Sequence, residues 1–227
     1  MNVTLLCRGK SLSHIDNLPP SDHCVVVNSF HFELENEKVS KYVSSSPKVS
    51  HVMSLGAYFP KSGASKIYKK YNFCEIVLPY IKEVCPPIPQ HFREIEGVNG
   101  FLPLKNLSDI NKPDMISHPR YAFTSPTSGL DALLYCVNEL KPTTINIIGL
   151  DFYDKVGYMT NSHGKSLNDT PDEKAISGHL RGGETKEIMQ GFFINFVKNH
   201  LETQFNLYTL SSTTFTNSNL KITNYDT

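Results

Sequence analysis

Short apolar runs alternate with polar, turn-forming stretches along the first eighty residues. The runs are rich in Val, Leu and Ile and are bounded by Pro, Ser, Gly or Asn, which is typical of buried strands. They cover residues 3–7, 24–28, 49–55 and 74–80. Between the first two runs, residues 11–17 predict a short helix with Ser11 as its cap, ended by Pro19 and Pro20.

The second part of the chain adds helical periodicity. Apolar residues recur at helical spacing after Thr127 until Pro142, and again over residues 188–197. Two further strands are predicted over residues 145–150 and 207–210. This alternation predicts an α/β fold: a single Rossmann-like domain over residues 1–227, with a mostly parallel sheet and helices on both faces.

Two stretches lack regular patterns. Residues 85–115 contain five prolines with scattered Gly and Asn, which predicts an irregular connection over the surface. Residues 154–178 are polar, rich in Gly, Ser, Asn, Asp and Lys, and without a period of 2 or 3.6. Loops of this length in a compact domain are often lids, so we expect a lid here.

Charge and composition narrow the functional classes. The 22 basic residues balance the 22 acidic ones, so the field that attracts nucleic acid is missing and no nucleic-acid partner is expected. Five widely spaced cysteines suit reduced core positions and a reducing compartment. Without a basic leader or a run of about 20 apolar residues, we expect a cytoplasmic protein with at most peripheral contact with the inner membrane.

The first candidate for chemistry directly follows the first predicted strand. Gly9 allows close backbone approach, and the amides from Ser11 onward could bind phosphate beside the positive charges of Arg8 and Lys10. Asn28 ends the second strand, at the edge where parallel sheets bind ligands, and its amide could contact a base or ribose. A plain turn with solvated basic side chains, and an Asn that only starts a turn, remain alternatives.

A second group of candidates surrounds the later helix and strand. Thr127, Ser128 and Gly129 open the helix, where they could cap it, present free amides to a nucleotide, or do both. Gly149 and Asp151 follow the strand over residues 145–150, and Asp151 could bind substrate or fix the turn.

Three residues could carry catalysis itself. Tyr153 and Tyr158 could donate hydrogen bonds to a leaving phosphate, although packed or surface tyrosines are the commoner case. His179 could remove the proton of an attacking sugar hydroxyl, because histidine titrates near neutrality. It is one of nine histidines, and its position after the expected lid singles it out.

A metal site is not expected. The histidines and carboxylates of the polar loop match no ligand signature, and no DxD pair is present to hold a metal-bound nucleotide diphosphate. These residues are His163, Asp169, Asp172, Glu173 and His179.

These motifs resemble the bacterial lipo-oligosaccharide sialyltransferases, which use CMP-N-acetylneuraminic acid. The strongest match is TSG at residues 127–129, opening a helix, followed by a strand that ends in GLDFY at residues 149–153. The glycine turn with Ser11-Leu12, the segment NSFHF at residues 28–32, and Gly178-His179 before the last long helix agree in order.

The resemblance implies an inverting glycosyltransferase that moves sialic acid or a related nonulosonic acid from a CMP-sugar to a glycan hydroxyl. It implies no cofactor and no metal, and homo-oligomers are common among such enzymes. The implied roles are cytidine and ribose contacts for Asn28, Thr127, Ser128 and Gly129, phosphate contacts for Tyr153 and Tyr158, and general base for His179. Two alternatives stay open: a pterin diphosphokinase-like enzyme using ATP and magnesium, and a non-catalytic nucleotide-binding relative.

Overall fold

Eight parallel strands form one sheet in the computed structural model, which describes residues 1–53, 64–78, 104–106, 127–152, 159 and 186–225. The strands are β1 (Asn2–Leu6), β2 (His23–Val27), β3 (Val49–Val52), β4 (Phe73–Leu78), β5 (Leu104–Asn106), β6 (Thr144–Ile148), β7 (Gln204–Thr209) and β8 (Leu220–Asn224). Their order across the sheet is β5-β4-β3-β2-β1-β6-β7-β8, and every neighbouring pair is parallel. The predicted parallel α/β sheet is confirmed.

Helices connect most of these strands. The α-helices are α1 (Glu37–Ser45), α2 (Ala64–Lys70), α3 (Ser128–Tyr135) and α4 (Lys186–Asn199), and 3-10 helices cover Lys10–Asn17 and Phe30–Glu35. A π-helical turn, Cys136–Leu140, continues α3 until Lys141 adopts a left-handed conformation with φ 49° before Pro142. Among the described residues, no helix combines the length and apolar character needed to cross a membrane.

Both faces of the sheet are covered. On one face, α3 and α4 pack their apolar residues against β1, β6 and β7, and Phe193 and Phe196 of α4 are fully buried. On the other face, α1 and the 3-10 helices pack around residues such as Leu6 and Val26. Burying each large apolar side chain contributes about 1.5–3 kcal/mol, so these layers hold the strand ends in place.

Two edge strands differ from the expectation. β5 lies within residues 85–115, which the sequence predicted to be irregular, and β8 follows the strand predicted to be the last. Both predictions were wrong at these points, because edge strands need not be apolar. β8 has the sequence LKITN and remains partly exposed, while β5 has only three residues. Apart from residue 159, the expected lid over residues 154–178 lies outside the described residues.

Candidate functional site

Most predicted site residues gather at the carboxyl ends of β1, β2 and β6. Strand order reverses between β1 and β6, and open parallel sheets bind ligands outside the carboxyl ends at such a point. α3 begins at the same edge: a Cβ atom on Gly129 would lie 3.0 Å from Cys7 Sγ and 3.2 Å from Leu150 Cδ1. The fold therefore brings the helix start onto the loops after β1 and β6.

Two glycines allow these loops to touch. The amide of Gly9 donates a 2.8 Å hydrogen bond to the Gly149 carbonyl. A Cβ atom on Gly9 would lie 2.5 Å from Asp151 Oδ2. Gly149 has a positive φ of 77°, and a Cβ atom on it would lie 2.2 Å from the Cys7 carbonyl oxygen. Side chains at either position would force the two loops apart. The close approach expected at Gly9 is therefore made to the β6 loop.

Asp151 ties three strand ends together. Its buried carboxylate accepts from the Ser11 amide at 2.9 Å through Oδ2. Through Oδ1 it accepts from the Thr209 hydroxyl and the Leu210 amide, each at 3.0 Å. These bonds join the loops after β1, β6 and β7, so of its two expected roles the structure favours fixing the turn.

Ser11 contributes to the same junction in a way that corrects its predicted role. The first 3-10 helix starts at Lys10 with Gly9 as its N-cap residue, so Ser11 is not the cap. Its hydroxyl instead accepts a 2.9 Å hydrogen bond from the amide of Gly149. Ser11 and Asp151 thus bond to each other's loops.

Arg8 forms a buried ion pair. Its Nε lies 2.9 Å from Glu33 Oε1, with both side chains almost fully shielded from solvent, and its guanidinium lies 5.9 Å from the centre of the Phe32 ring. His31 packs on Phe32, and burial, together with the Arg8 charge, lowers the pKa of His31 to about 4. The positive charge expected beside a phosphate is therefore matched by a carboxylate that no sequence pattern indicated.

Asn28 stands at the end of β2 in a left-handed conformation, with φ 50°. The backbone amide of Asn28 donates to the Val52 carbonyl at 2.8 Å, and the backbone carbonyl of Asn28 accepts from Nε2 of His51 at 2.5 Å. Burial, only partly offset by the bond to Asn28, lowers the pKa of His51 to about 4. A neutral, buried histidine thus fixes the backbone that places the Asn28 side chain at the sheet edge.

The start of α3 agrees with the predicted helix boundary. Thr127 is the N-cap residue, and its carbonyl accepts from the amides of Leu130 and Asp131 at 2.8 and 3.0 Å. The Thr127 side chain makes no capping hydrogen bond, so the helix start depends on the backbone of this residue. Ser128 and Gly129 form the first turn of the helix, whose N-terminal amides carry partial positive charge.

The predicted catalytic residues Tyr153, Tyr158 and His179 lie outside the described residues, and their roles stay predictions. So do the loop residues considered as metal ligands, which span positions 163–179. Met159 is described, and its amide donates a 2.7 Å hydrogen bond to the Arg8 carbonyl. Residue 159 therefore lies beside the loop after β1.

Comparison with known proteins by sequence finds no matching family model and no matching curated protein. Comparison with solved structures does find neighbours. The sialyltransferase CstII from Campylobacter jejuni, in complex with the substrate analogue CMP-3FNeuAc, matches with a TM-score of 0.57 and 15% identity over 97% of this chain and 93% of that one. A crystal structure of a CST-II variant in complex with CMP matches with a TM-score of 0.56 and 14% identity over 98% and 93%. Structural similarity at 14–15% sequence identity shows a shared fold, so the chain has the Rossmann-like fold of these sialyltransferases.

Proposed function

We propose that the chain is a glycosyltransferase that transfers sialic acid or a related nonulosonic acid from a CMP-sugar to a glycan hydroxyl. The observation that carries this proposal is the convergence of Asn28, the start of α3 and the joined loops after β1 and β6 at one sheet edge. The same fold, over nearly the whole chain, holds CMP and a CMP-sugar analogue in its structural neighbours.

Binding of the donor would use the described residues. The N-terminal end of α3, at Thr127, Ser128 and Gly129, would contact the cytidine and ribose through its free amides and hydroxyl groups. The side-chain amide of Asn28 can both donate hydrogen bonds to the base or ribose and accept hydrogen bonds from them. Because Asp151 and Ser11 already join the loops, little ordering would be needed when the nucleotide binds.

The chemical step would use three residues carried over from the sequence resemblance. His179 would take the proton of the acceptor hydroxyl as its oxygen attacks the anomeric carbon of the donor. The bond from that carbon to the CMP phosphate oxygen breaks, and the electron pair leaves with CMP, which gives inversion. Tyr153 and Tyr158 would stabilise the departing phosphate by donating hydrogen bonds. Residues 154–178 would close over the donor and exclude water.

A ligand screen tests the proposal on the full chain. Thermal unfolding is measured with cytidine, uridine, guanosine and adenosine nucleotides, with and without magnesium, because a ligand that binds the folded state raises its stability. We expect CMP to raise the Tm without magnesium. Stabilisation by ATP only with magnesium would instead favour a pterin diphosphokinase-like enzyme.

Activity is tested with CMP-sugars and glycan acceptors of the lipo-oligosaccharide type. We expect His179→Ala to lower transfer far more than it lowers CMP affinity, because a general base acts in the chemical step. If the unsubstituted chain binds CMP but neither transfers nor hydrolyses any CMP-sugar, the protein is a non-catalytic relative and the proposed reaction is wrong.

A further inference from the structure

A second polar cluster lies at the opposite edge of the sheet, near the amino ends of β2, β3 and β4. It contains His23, Ser50, Cys74 and Glu75, with Tyr135 of α3 beside them. His23 and Ser50 are buried, and Cys74 and Glu75 are half-buried. Since β2 separates His23 from Asn28 by five residues, the cluster lies about 16 Å from the candidate nucleotide site.

An irregularity in β4 creates this cluster. Val49 pairs with Phe73, but the next residue, Ser50, pairs with Glu75, so Cys74 is the extra residue of a β-bulge. A bulge sets two residues of one strand against one residue of its neighbour. As a result, Cys74 Sγ and Glu75 Oε1 both reach the Ser50 hydroxyl, at 3.7 and 2.8 Å.

The donor atoms converge on one point. His23 Nε2 lies 2.7 Å from the same Ser50 hydroxyl, so nitrogen, sulfur and carboxylate oxygen surround it. The three ligand atoms of His23, Cys74 and Glu75 all lie within 4.8 Å of one another. Ligands of a tetrahedral zinc ion lie about 3.3–3.8 Å apart, given bond lengths of about 2.0–2.3 Å. Small side-chain rotations would therefore close the three donors on an ion.

We propose that His23, Cys74 and Glu75 bind a zinc ion through Nε2, Sγ and a carboxylate oxygen. A mixed imidazole, thiolate and carboxylate donor set suits zinc and disfavours magnesium and calcium, which prefer oxygen alone. On binding, the Cys74 thiol releases its proton to solvent and the His23 proton resides on Nδ1. The Ser50 hydroxyl, which lies within hydrogen-bond distance of all three donors, would turn aside about its χ1 bond.

The surroundings of the site support this assignment. The Tyr135 hydroxyl donates a hydrogen bond to Glu75 Oε1, the kind of outer contact that orients a metal-binding carboxylate. The ion would link β2 to β4 across β3, and it would leave its fourth position to water or another ligand. Residues 23, 74 and 75 match no ligand signature, which explains why the sequence predicted no metal site.

Cobalt(II) reports directly on the proposed thiolate ligand. The full chain, treated with a chelator and then titrated with Co²⁺, should show a thiolate-to-cobalt charge-transfer band and visible d–d bands at one equivalent, both removed by Zn²⁺. Cys74→Ser should abolish the charge-transfer band. Cys24→Ala, which removes a thiol on the opposite face of β2 from His23, should leave it unchanged.

Zinc affinity and stability give independent readouts. Loss of a direct ligand in His23→Gln or Glu75→Gln should weaken zinc binding by more than about 100-fold, since loss of an outer contact alone costs about 10–100-fold. Zinc should raise the Tm of the unsubstituted chain and not that of Cys74→Ser. Absence of the band in the unsubstituted chain, which needs no variant to fold, or its persistence in Cys74→Ser would overturn the proposal.

Discussion

The amide of Ser11 donates a 2.9 Å hydrogen bond to the buried carboxylate of Asp151, across 140 residues of chain. This bond joins the first helix after β1 to the loop after β6, the two strands between which the strand order reverses. The geometry of the candidate nucleotide site therefore depends on a carboxylate that need not touch the ligand.

Replacing Asp151 by Asn should destabilise the fold by about 1–3 kcal/mol. The Asn side chain has one acceptor oxygen, so either the Ser11 or the Leu210 amide would lose its buried acceptor. Urea unfolding measures this change. Asp22→Asn is the matched control, because Asp22 accepts from the Asn2 amide at 2.8 Å at an exposed site where water can substitute. Equal losses in the two variants would contradict the proposed importance of burial.

Gly9→Ala and Gly191→Ala should change stability in opposite directions. The added methyl group at Gly9 meets Asp151 Oδ2 at 2.5 Å and the Gly149 carbonyl oxygen at 2.6 Å, so the joined loops must separate. Gly191 lies inside α4 with nothing within 4 Å of its ideal Cβ position, so Ala there should stabilise the helix by about 0.5–1 kcal/mol. Thermal unfolding distinguishes them, and a Gly9→Ala variant as stable as the parent chain would show that the loops can move apart freely.

Glu33→Gln should lower the unfolding free energy by about 3–5 kcal/mol, because it removes the charge of one partner of a buried ion pair. The exposed pair formed by Lys38 and Asp16, at 2.7 Å, is the control. Asp16→Asn should change stability by less than about 1 kcal/mol, since water screens the pair. Chemical denaturation measures both, and similar effects at the two sites would show that Arg8 is solvated in solution.

Stability should fall as the pH drops from the unfolded histidine pKa of 6.5 toward the folded pKa of His51, about 4. The folded state binds fewer protons than the unfolded state in this range, so the His51 contribution is full above 6.5 and is lost on acidification. Each such histidine adds a slope of about 1.4 kcal/mol per pH unit. His51→Gln should lower the slope of unfolding free energy against pH by the amount that corresponds to one bound proton. An unchanged slope would contradict burial of a neutral His51 ring.

Asn28→Gly and Asn28→Ala separate ligand contact from backbone strain. Glycine keeps the left-handed backbone that the His51 bond requires, so Asn28→Gly should retain stability and lose about tenfold in CMP affinity with the side-chain amide. Asn28→Ala should lose the same CMP affinity and, in addition, about 1–2 kcal/mol of stability, because alanine disfavours the left-handed backbone conformation. Calorimetric titration with CMP measures the first effect, and undiminished affinity in Asn28→Gly would exclude the proposed base or ribose contact.

Among the strands that the sequence predicted, the central ones are buried on both faces. β1, β2 and β6 carry runs of Val, Ile and Leu, because each lies inside the sheet and packs against helices on either side. β8 lies at the edge of the sheet, where polar residues such as Lys221 and Asn224 are tolerated, so it has no buried-strand pattern. Apolar patterning therefore reveals the centre of this fold and misses its margins.

For the site, the sequence indicated positions but not partners. Gly9, Asn28 and Gly149 could be placed at one edge because the carboxyl ends of parallel strands meet there. The pairing of Arg8 with Glu33 and of Asn28 with His51 could not be predicted, because it depends on how separate segments pack. Tertiary packing, and not the local sequence, therefore decides which charged side chains face a ligand.

The position of β1 between β2 and β6 has a consequence for protein synthesis. β2 follows β1 closely in the chain, but β6 begins only at Thr144, so the long segment from Leu6 to Thr144 must leave the ribosome before the second side of β1 is paired. Until then, a strand that the finished fold buries over four of its five residues presents unsatisfied backbone groups, as sheet edges prone to aggregation do. The central strand of the finished sheet is an edge strand in the nascent chain, and ribosomes that stall before Thr144 would leave it exposed.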